Sequence, residues 1–327
     1  MDNYCSIYDE FRNIGLKFYQ VLRLKTVKLN FENHHQLKNY IYYMKNIKLI
    51  ECPRDAMQGW ANWIPTEKKI EYLNQLLKVG FDTLDFGSFV SPKAIPQMAD
   101  TVLVYDAIEL DSTNTKLLAI IANARGAEAA VSFEKIKYLG FPFSISETFQ
   151  QRNTNSSISE AFKTVETIQN LCQISDKQLV VYFSMGFGNP YGDPYNTEIV
   201  SEWAEKMSNL GIKIISLSDT VGVADTQTIT DLFANLISQY PTIEFGAHFH
   251  ASNDNWQAKI QSAFEAGCLR FDGAIGGFGG CPMAEDELVG NINTQNMIQY
   301  FENQGVNLNL KKTELEKSIK ISKNIFI

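Results

Sequence analysis

No apolar run in this 327-residue chain approaches the ~20 residues that a membrane-spanning helix requires. Positive charge is not in excess. Lys and Arg number 29 against 37 Asp and Glu, a net charge of -8. That balance argues against a nucleic-acid-binding surface or an anionic-membrane surface, though a local basic pocket for an anionic ligand stays open. There is no CxxC. The five cysteines, Cys5, Cys52, Cys172, Cys268 and Cys281, are odd in number and irregularly spaced, which points to free thiols in a reducing, cytoplasmic setting rather than a disulfide framework. No GxGxxG phosphate loop follows the first apolar run, where CPRDAMQGW stands instead. Histidine is scarce, with four in the chain, and two of them, His34 and His35, lie in an atypical N-terminus.

The first 43 residues are rich in Tyr, Asn, Lys and Phe and carry acidic residues with no small-residue cleavage site, so they make a poor signal or transit peptide. Two readings stay open: the native chain starts at Met44, or residues 1–43 are a helical extension. From Lys45 short apolar runs alternate with amphipathic stretches. Strands are expected at 47–52, 82–87, 116–122, 136–142, 179–185, 212–218, 243–249 and 268–274. The stretch 66–80 has apolar Ile70, Leu73, Leu76 and Leu77 at helical spacing, with Thr66 as its cap and Gly80 as its end. Similar patterns recur at 157–172, 196–211, 226–240 and 254–267. Eight strand–helix units predict an α/β fold, a (β/α)8 TIM barrel over 44–300 with an irregular N-terminal extension (1–43) and a C-terminal helical tail (301–327).

Active sites of such barrels collect at the C-terminal ends of the strands. His248 and His250 lie two apart on the seventh strand, so period-2 geometry turns both imidazoles to one face. With Asp55 after strand 1 and the amide Asn291 they form a mixed N/O set suited to Mg²⁺ or Mn²⁺. Local packing of the HFH segment is the plainer alternative. Arg54 and Asp55 read either as an ion pair or as an oxyanion holder beside a metal ligand. Cys281 follows Gly276, Gly277, Gly279 and Gly280, a setting for a thiol that moves protons or attacks carbonyls; a buried filler is the alternative. The other four cysteines read as inert small hydrophobes. Asp85, Ser88, Lys93 and Asp219 fall at strand ends, as supporting groups or as caps. Gln151 to Asn155 reads as a polar loop.

PRDAMQ, SFVSPKAIPQM, ETFQQRNTN, SLSDTVGV, AHFH and GFGGCPMA with the later GN together resemble hydroxymethylglutaryl-CoA lyase, across Met44 to Tyr300. The resemblance implies a metal-dependent lyase of the condensing-enzyme barrel superfamily. It implies that Asp55, His248, His250 and Asn291 bind Mg²⁺ or Mn²⁺ and that Arg54 steadies the substrate carbonyl. Cys281 matches the catalytic loop cysteine. Gln58, Asp85, Ser88 and Asp219 match supporting positions. The expected reaction is retro-Claisen cleavage of the acyl-CoA to acetoacetate and acetyl-CoA, with Asp55 or His248 as base. Leucine catabolism is one pathway it would serve, and a homodimer stays open as its assembly. Ala56 stands for the family's glycine, Ala251 for its aspartate, and Gln295 for its glutamate. These departures keep a related 3-hydroxy-3-methylacyl-CoA in play as substrate. A synthase or aldolase of the same superfamily, or a barrel that only binds metal or acyl-CoA, are the rival expectations.

Overall fold

The computed structural model describes residues 46–280 and 289–327. Residues 1–43, with their two readings, and Cys281 therefore lie outside the described residues. Residues 46–302 with 308–327 form one compact unit, and 303–307 group apart from it.

Eight parallel strands close into a barrel in sequence order. They are β1 (Lys48–Glu51), β2 (Thr83–Ser88), β3 (Lys116–Ile120), β4 (Ile136–Ser144), β5 (Gln178–Ser184), β6 (Ile214–Asp219), β7 (Glu244–Phe249) and β8 (Arg270–Gly273). Closure comes from β1 pairing with β8, from Lys48 opposite Arg270 to Glu51 opposite Gly273. Each strand falls within about two residues of its expected run. Alternation places every second residue of each strand inside and the others under the helices. Leu118, Tyr138, Val180, Tyr182 and Ile214 pack as one cluster, with Ile120 against it. The Arg270 guanidinium lies 5.8 Å from the Tyr138 ring, which puts that arginine inside the barrel too. Gly246 makes room for it, since a Cβ there would press on the Arg270 side chain at 3.0 Å.

The helices are α1 (Pro53–Gln58), α2 (Thr66–Leu77), α3 (Thr101–Asp106), α4 (Ala124–Val131), α5 (Glu147–Thr154), α6 (Ile158–Ile174), α7 (Thr197–Asn209), α8 (Thr226–Gln239), α9 (Trp256–Glu265), α10 (Thr294–Asn303) and α11 (Lys312–Ile325). Helix α6 shows why. Ser157 and Glu160 form a capping box at its start. It then buries Ala161, Val165, Ile168 and Cys172, one stripe at helical spacing. Fully burying Val165 and Ile168 stabilises the fold by roughly 1.5–3 kcal/mol each. Helix α11 packs on α2 and covers the outside of the barrel.

Two local expectations change, and a third is filled in. Thr66 does not cap α2; it is the first helical residue, and its hydroxyl donates to Asp100 instead. Pro53–Asp55, placed from the sequence only as lying after strand 1, forms the first turn of α1, where a missing proline N–H costs nothing. Gln151–Asn155 is not a loop. Ser146 caps α5 by accepting from the Phe149 N–H, and Asn155 ends it in the left-handed region at φ 52°. Weak apolar periodicity hid this helix, whose buried residues are Phe149 and Gln150.

Candidate active site

Arg54 and Asp55 sit at the first turn of α1, directly above β1, and both are buried. An arginine has five N–H donors. Nε donates to both oxygens of Asp85 at 3.2 and 3.0 Å, and Nη2 to Asp85 Oδ2 at 2.5 Å. Nη1 donates to Asp55 Oδ1 at 3.0 Å and to Gln58 Oε1 at 2.9 Å. Four N–H groups are thus committed, and among the described residues one on Nη2 has no partner and remains for a ligand. Burial pulls the guanidinium toward neutrality, but Asp85 and Asp55 outweigh it and keep Arg54 charged. Gln58 also donates to Asp55 Oδ1, at 2.9 Å.

His248 is the fifth residue of β7, and its Nδ1 lies 3.1 Å from Asp272 Oδ2. His250 follows the strand and forms an antiparallel bridge with Asn291, which is how a residue 41 positions on reaches this site. Asn291 Nδ2 donates to Asp55 Oδ2 at 2.6 Å and to the Phe278 carbonyl at 2.9 Å. Gly279 explains one of the glycines. Its φ is +97°, and a Cβ there would meet Asn291 Nδ2 at 2.6 Å and the Asp55 carbonyl at 2.9 Å. The approach of this segment to α1 therefore requires glycine.

One ligand atom from each of Asp55, His248 and His250 lies within 4.8 Å of the others. The Nδ1 of His250 faces the Thr220 carbonyl at 2.9 Å. A carbonyl only accepts, so Nδ1 carries the proton and Nε2 the lone pair. That Nε2 is buried with no hydrogen-bond partner among the described residues. Burial, then His248, pulls His250 down to about 4, so it is neutral at ordinary pH. Burial pushes Asp55 up, yet Arg54, the two histidines and Asn291 together hold it below the usual carboxylate range. An anion beside an orphaned imidazole lone pair is what a divalent cation needs. Asn291 fits only if its carboxamide turns over, because it now presents nitrogen, not oxygen, to Asp55.

These groups open on a cleft of about 350 Å³. Arg54, Asp55, Gln58, His248 and His250 line one wall, and Ile95, Ile120, Pro142 and Phe149 stand among its apolar residues. That volume suits a small ligand. The other expected residues are not on its surface. Asp85 stands behind Arg54. Ser88 accepts from the Val90 N–H at 3.1 Å and shapes the turn after β2. Asp219 pairs with buried Lys259 at 2.5 Å, and Lys259 in turn donates to the His250 carbonyl at 3.1 Å. Lys93 is exposed to solvent.

Three functional partners escaped the sequence reading: Asp272, Lys259 and Glu51. Asp272 had a signal, an acid at period-2 spacing from Arg270 in an otherwise apolar strand. Lys259 lies in the buried stripe of α9 with Ile260, Ala263 and Phe264. Glu51 is fully buried and accepts from the Ile275 N–H at 2.8 Å and the Thr294 hydroxyl at 2.6 Å. It ties both flanks of the glycine-rich segment to β1. Burial pushes it up to about 8, against the pull of those two bonds.

A family model described as HMGL-like matches residues 46–321. The Bacillus subtilis hydroxymethylglutaryl-CoA lyase YngG is 32% identical over 282 residues, which cover 86% of this chain and 92% of that one. The human mitochondrial hydroxymethylglutaryl-CoA lyase is 30% identical over 272 residues, 82% of each chain. Among solved structures, an HMG-CoA lyase from A. baumannii in complex with coenzyme A and 3-methylmalate superposes with a TM-score of 0.79 at 30% identity, covering 86% of this chain and 91% of that one.

Proposed function

The chain belongs to the HMGL-like family of lyases, and from that footing we propose that it cleaves 3-hydroxy-3-methylglutaryl-CoA to acetoacetate and acetyl-CoA with Mg²⁺ or Mn²⁺. The observation that carries this reading is the gathering of Asp55, His248 and His250 beside the free Nη2 donor of Arg54 in one cleft. Asp55, His248, His250 and a turned Asn291 would hold the ion. Bound there, the ion supplies Lewis acidity that lowers the pKa of a 3-hydroxyl and neutralises a nearby carboxylate.

The chain's own residues do the rest. Two groups facing the cleft can accept the hydroxyl proton. Asp55 is the poorer of them, because Oδ1 already accepts from Arg54 and Gln58 and the Arg54 charge holds the carboxyl below the usual carboxylate range. His248 is better placed. Asp272 holds its Nδ1 and stabilises an imidazolium, while Nε2 keeps a lone pair that serves either the ion or the proton. As the carbon–carbon bond breaks, negative charge moves to the thioester oxygen, where Arg54 is fixed to receive it. Asp85 and Gln58 hold the guanidinium in its plane, and Asp219 and Lys259 hold the backbone of His250. The thiol of Cys281, outside the described residues, is the proton donor to the resulting carbanion. The acyl-CoA is the partner. The free Cys52, Cys172 and Cys268 support a reducing, cytoplasmic location. Among the described residues no helix is long and apolar enough to cross a membrane.

The test is direct. The purified chain is incubated with 3-hydroxy-3-methylglutaryl-CoA and Mg²⁺, with and without a chelator, and acetoacetate is measured. Acetoacetate that disappears on chelation is the expected result. Cleavage faster with another 3-hydroxy-3-methylacyl-CoA would move the substrate assignment. No cleavage of either would remove the activity.

A further inference from the structure

Behind the site just described a second trio of ligand-bearing side chains converges. Cys52 Sγ, a nitrogen of His248 and a carboxylate oxygen of Asp272 all lie within 4.8 Å of one another. Cys52 and Asp272 are each only 2% exposed. Two observations separate this group from ordinary packing. Asp272 spends Oδ2 on His248, but its Oδ1 is buried with no partner among the described residues. Cys52 stands at the N-cap of α1, yet its side chain caps nothing, and among the described residues its thiol makes one long hydrogen bond, 3.8 Å to the Ile50 carbonyl. A buried carboxylate oxygen with nothing to accept is costly, and such orphans ask for an occupant.

The donor set names the occupant's class. Asp55 with two imidazoles suits a hard-to-borderline ion, whereas a thiolate, an imidazole and a carboxylate suit a thiophilic one. We propose that Cys52, His248 and Asp272 form a second cation site, selective for thiophilic divalent ions such as Zn²⁺ or Cd²⁺, which empties the Asp55–His248–His250 site by claiming the shared His248. Its exclusion of the first ion rests on the proposed role of that first site; the second site itself rests on its own geometry. On binding, the thiol gives its proton to solvent and a sulfur–metal bond forms, with no change of oxidation state. The site would make the enzyme sensitive to thiophilic metals even with its loop cysteine removed.

The experiment uses the full chain with Cys281→Ser, stripped by chelator, loaded with Mn²⁺ and titrated with Cd²⁺. Thiolate-to-cadmium absorption in the ultraviolet reports Cys52, and electron paramagnetic resonance reports free Mn²⁺. Absorption and Mn²⁺ release should rise together. Adding Cys52→Ser should abolish the absorption, and adding Asp272→Asn should weaken Cd²⁺ uptake by about tenfold. Retained Mn²⁺ binding shows that the Cys52→Ser chain is folded; if it is lost, Cys52→Ala takes its place. Absorption that survives loss of Cys52, or that grows while Mn²⁺ stays bound, overturns the proposal. A Cys52-dependent band in a chain that never takes up Mn²⁺ would sink the proposed function instead and leave this second site standing.

Discussion

On the β3–β6 side of the barrel interior, Leu118, Tyr138, Val180, Tyr182 and Ile214 fill the space with apolar bodies. On the β7–β8 side the same layers hold His248, Arg270 and Asp272. There Arg270 Nε and Nη2, Asp272 Oδ1 and His250 Nε2 are buried without partners among the described residues. The apolar half is what burial alone would build. The polar half costs stability, because each desolvated group must be compensated. A barrel that keeps such a half is using it, and the unsatisfied atoms point at the mouth and at the layer below it. The difference teaches that strands of one closed sheet divide labour: β3–β5 and the start of β6 give stiffness and an apolar wall, and β1, β2, the end of β6, β7 and β8 carry the charged groups Glu51, Asp85, Asp219, His248, Arg270 and Asp272.

The predictions sharpen or break that division. The largest effect is expected from Cys281→Ala, about 10²–10⁴-fold in turnover with Mn²⁺ affinity nearly intact. Lost Mn²⁺ binding would show that the thiol serves the ion, not the proton. Arg54→Lys should cost about 10²–10³-fold in kcat, because an ammonium cannot satisfy Asp85, Asp55 and Gln58 and still face substrate. A near-normal kcat would remove Arg54 from the enolate.

On the apolar side, Leu118→Ala should lower unfolding stability by about 2–5 kcal/mol and leave Mn²⁺ affinity unchanged. The reverse pattern in denaturant melts and Mn²⁺ titrations would erase the contrast between the halves. Glu51 adds a pH signature. Burial pushes its carboxyl from the ordinary 4.5 up to about 8. The folded chain therefore holds an extra proton between those values, so stability should fall as pH rises from about 4.5 to 8, by a few kcal/mol at most. Urea melts of Glu51→Gln across that window should lose this slope; an unchanged slope would locate its cause elsewhere. The smallest effect is that of Asp272→Asn, about 10–100-fold in Mn²⁺ affinity, through loss of the bond that fixes the His248 tautomer. Unaltered affinity would make Asp272 irrelevant to the first site.

The barrel was legible because each β/α unit writes its own period: two apolar faces for a buried strand, then a stripe at 3.6. Closure needed only the count. The metal-binding candidates were legible because histidine is so scarce that a pair at period 2 stands out. What stayed hidden depends on contacts between distant positions. Nothing local marks Glu51, whose partners lie more than 220 residues away. The helical state of Arg54 and Asp55 was masked by Pro53, which breaks helix interiors but not first turns. Helix α5 was masked by its polarity, and its boundaries are set by Ser146 and Asn155 rather than by an apolar stripe.

The most direct measurement is Mn²⁺ binding to the chelator-stripped chain by electron paramagnetic resonance, comparing the unaltered protein with His250→Ala. This residue would reach an ion only through Nε2, which has no partner among the described residues. One Mn²⁺ per chain, weakened at least about 100-fold by the substitution, is the expected result. Equal binding with and without His250 would contradict it and remove the mouth of the barrel as the proposed metal site.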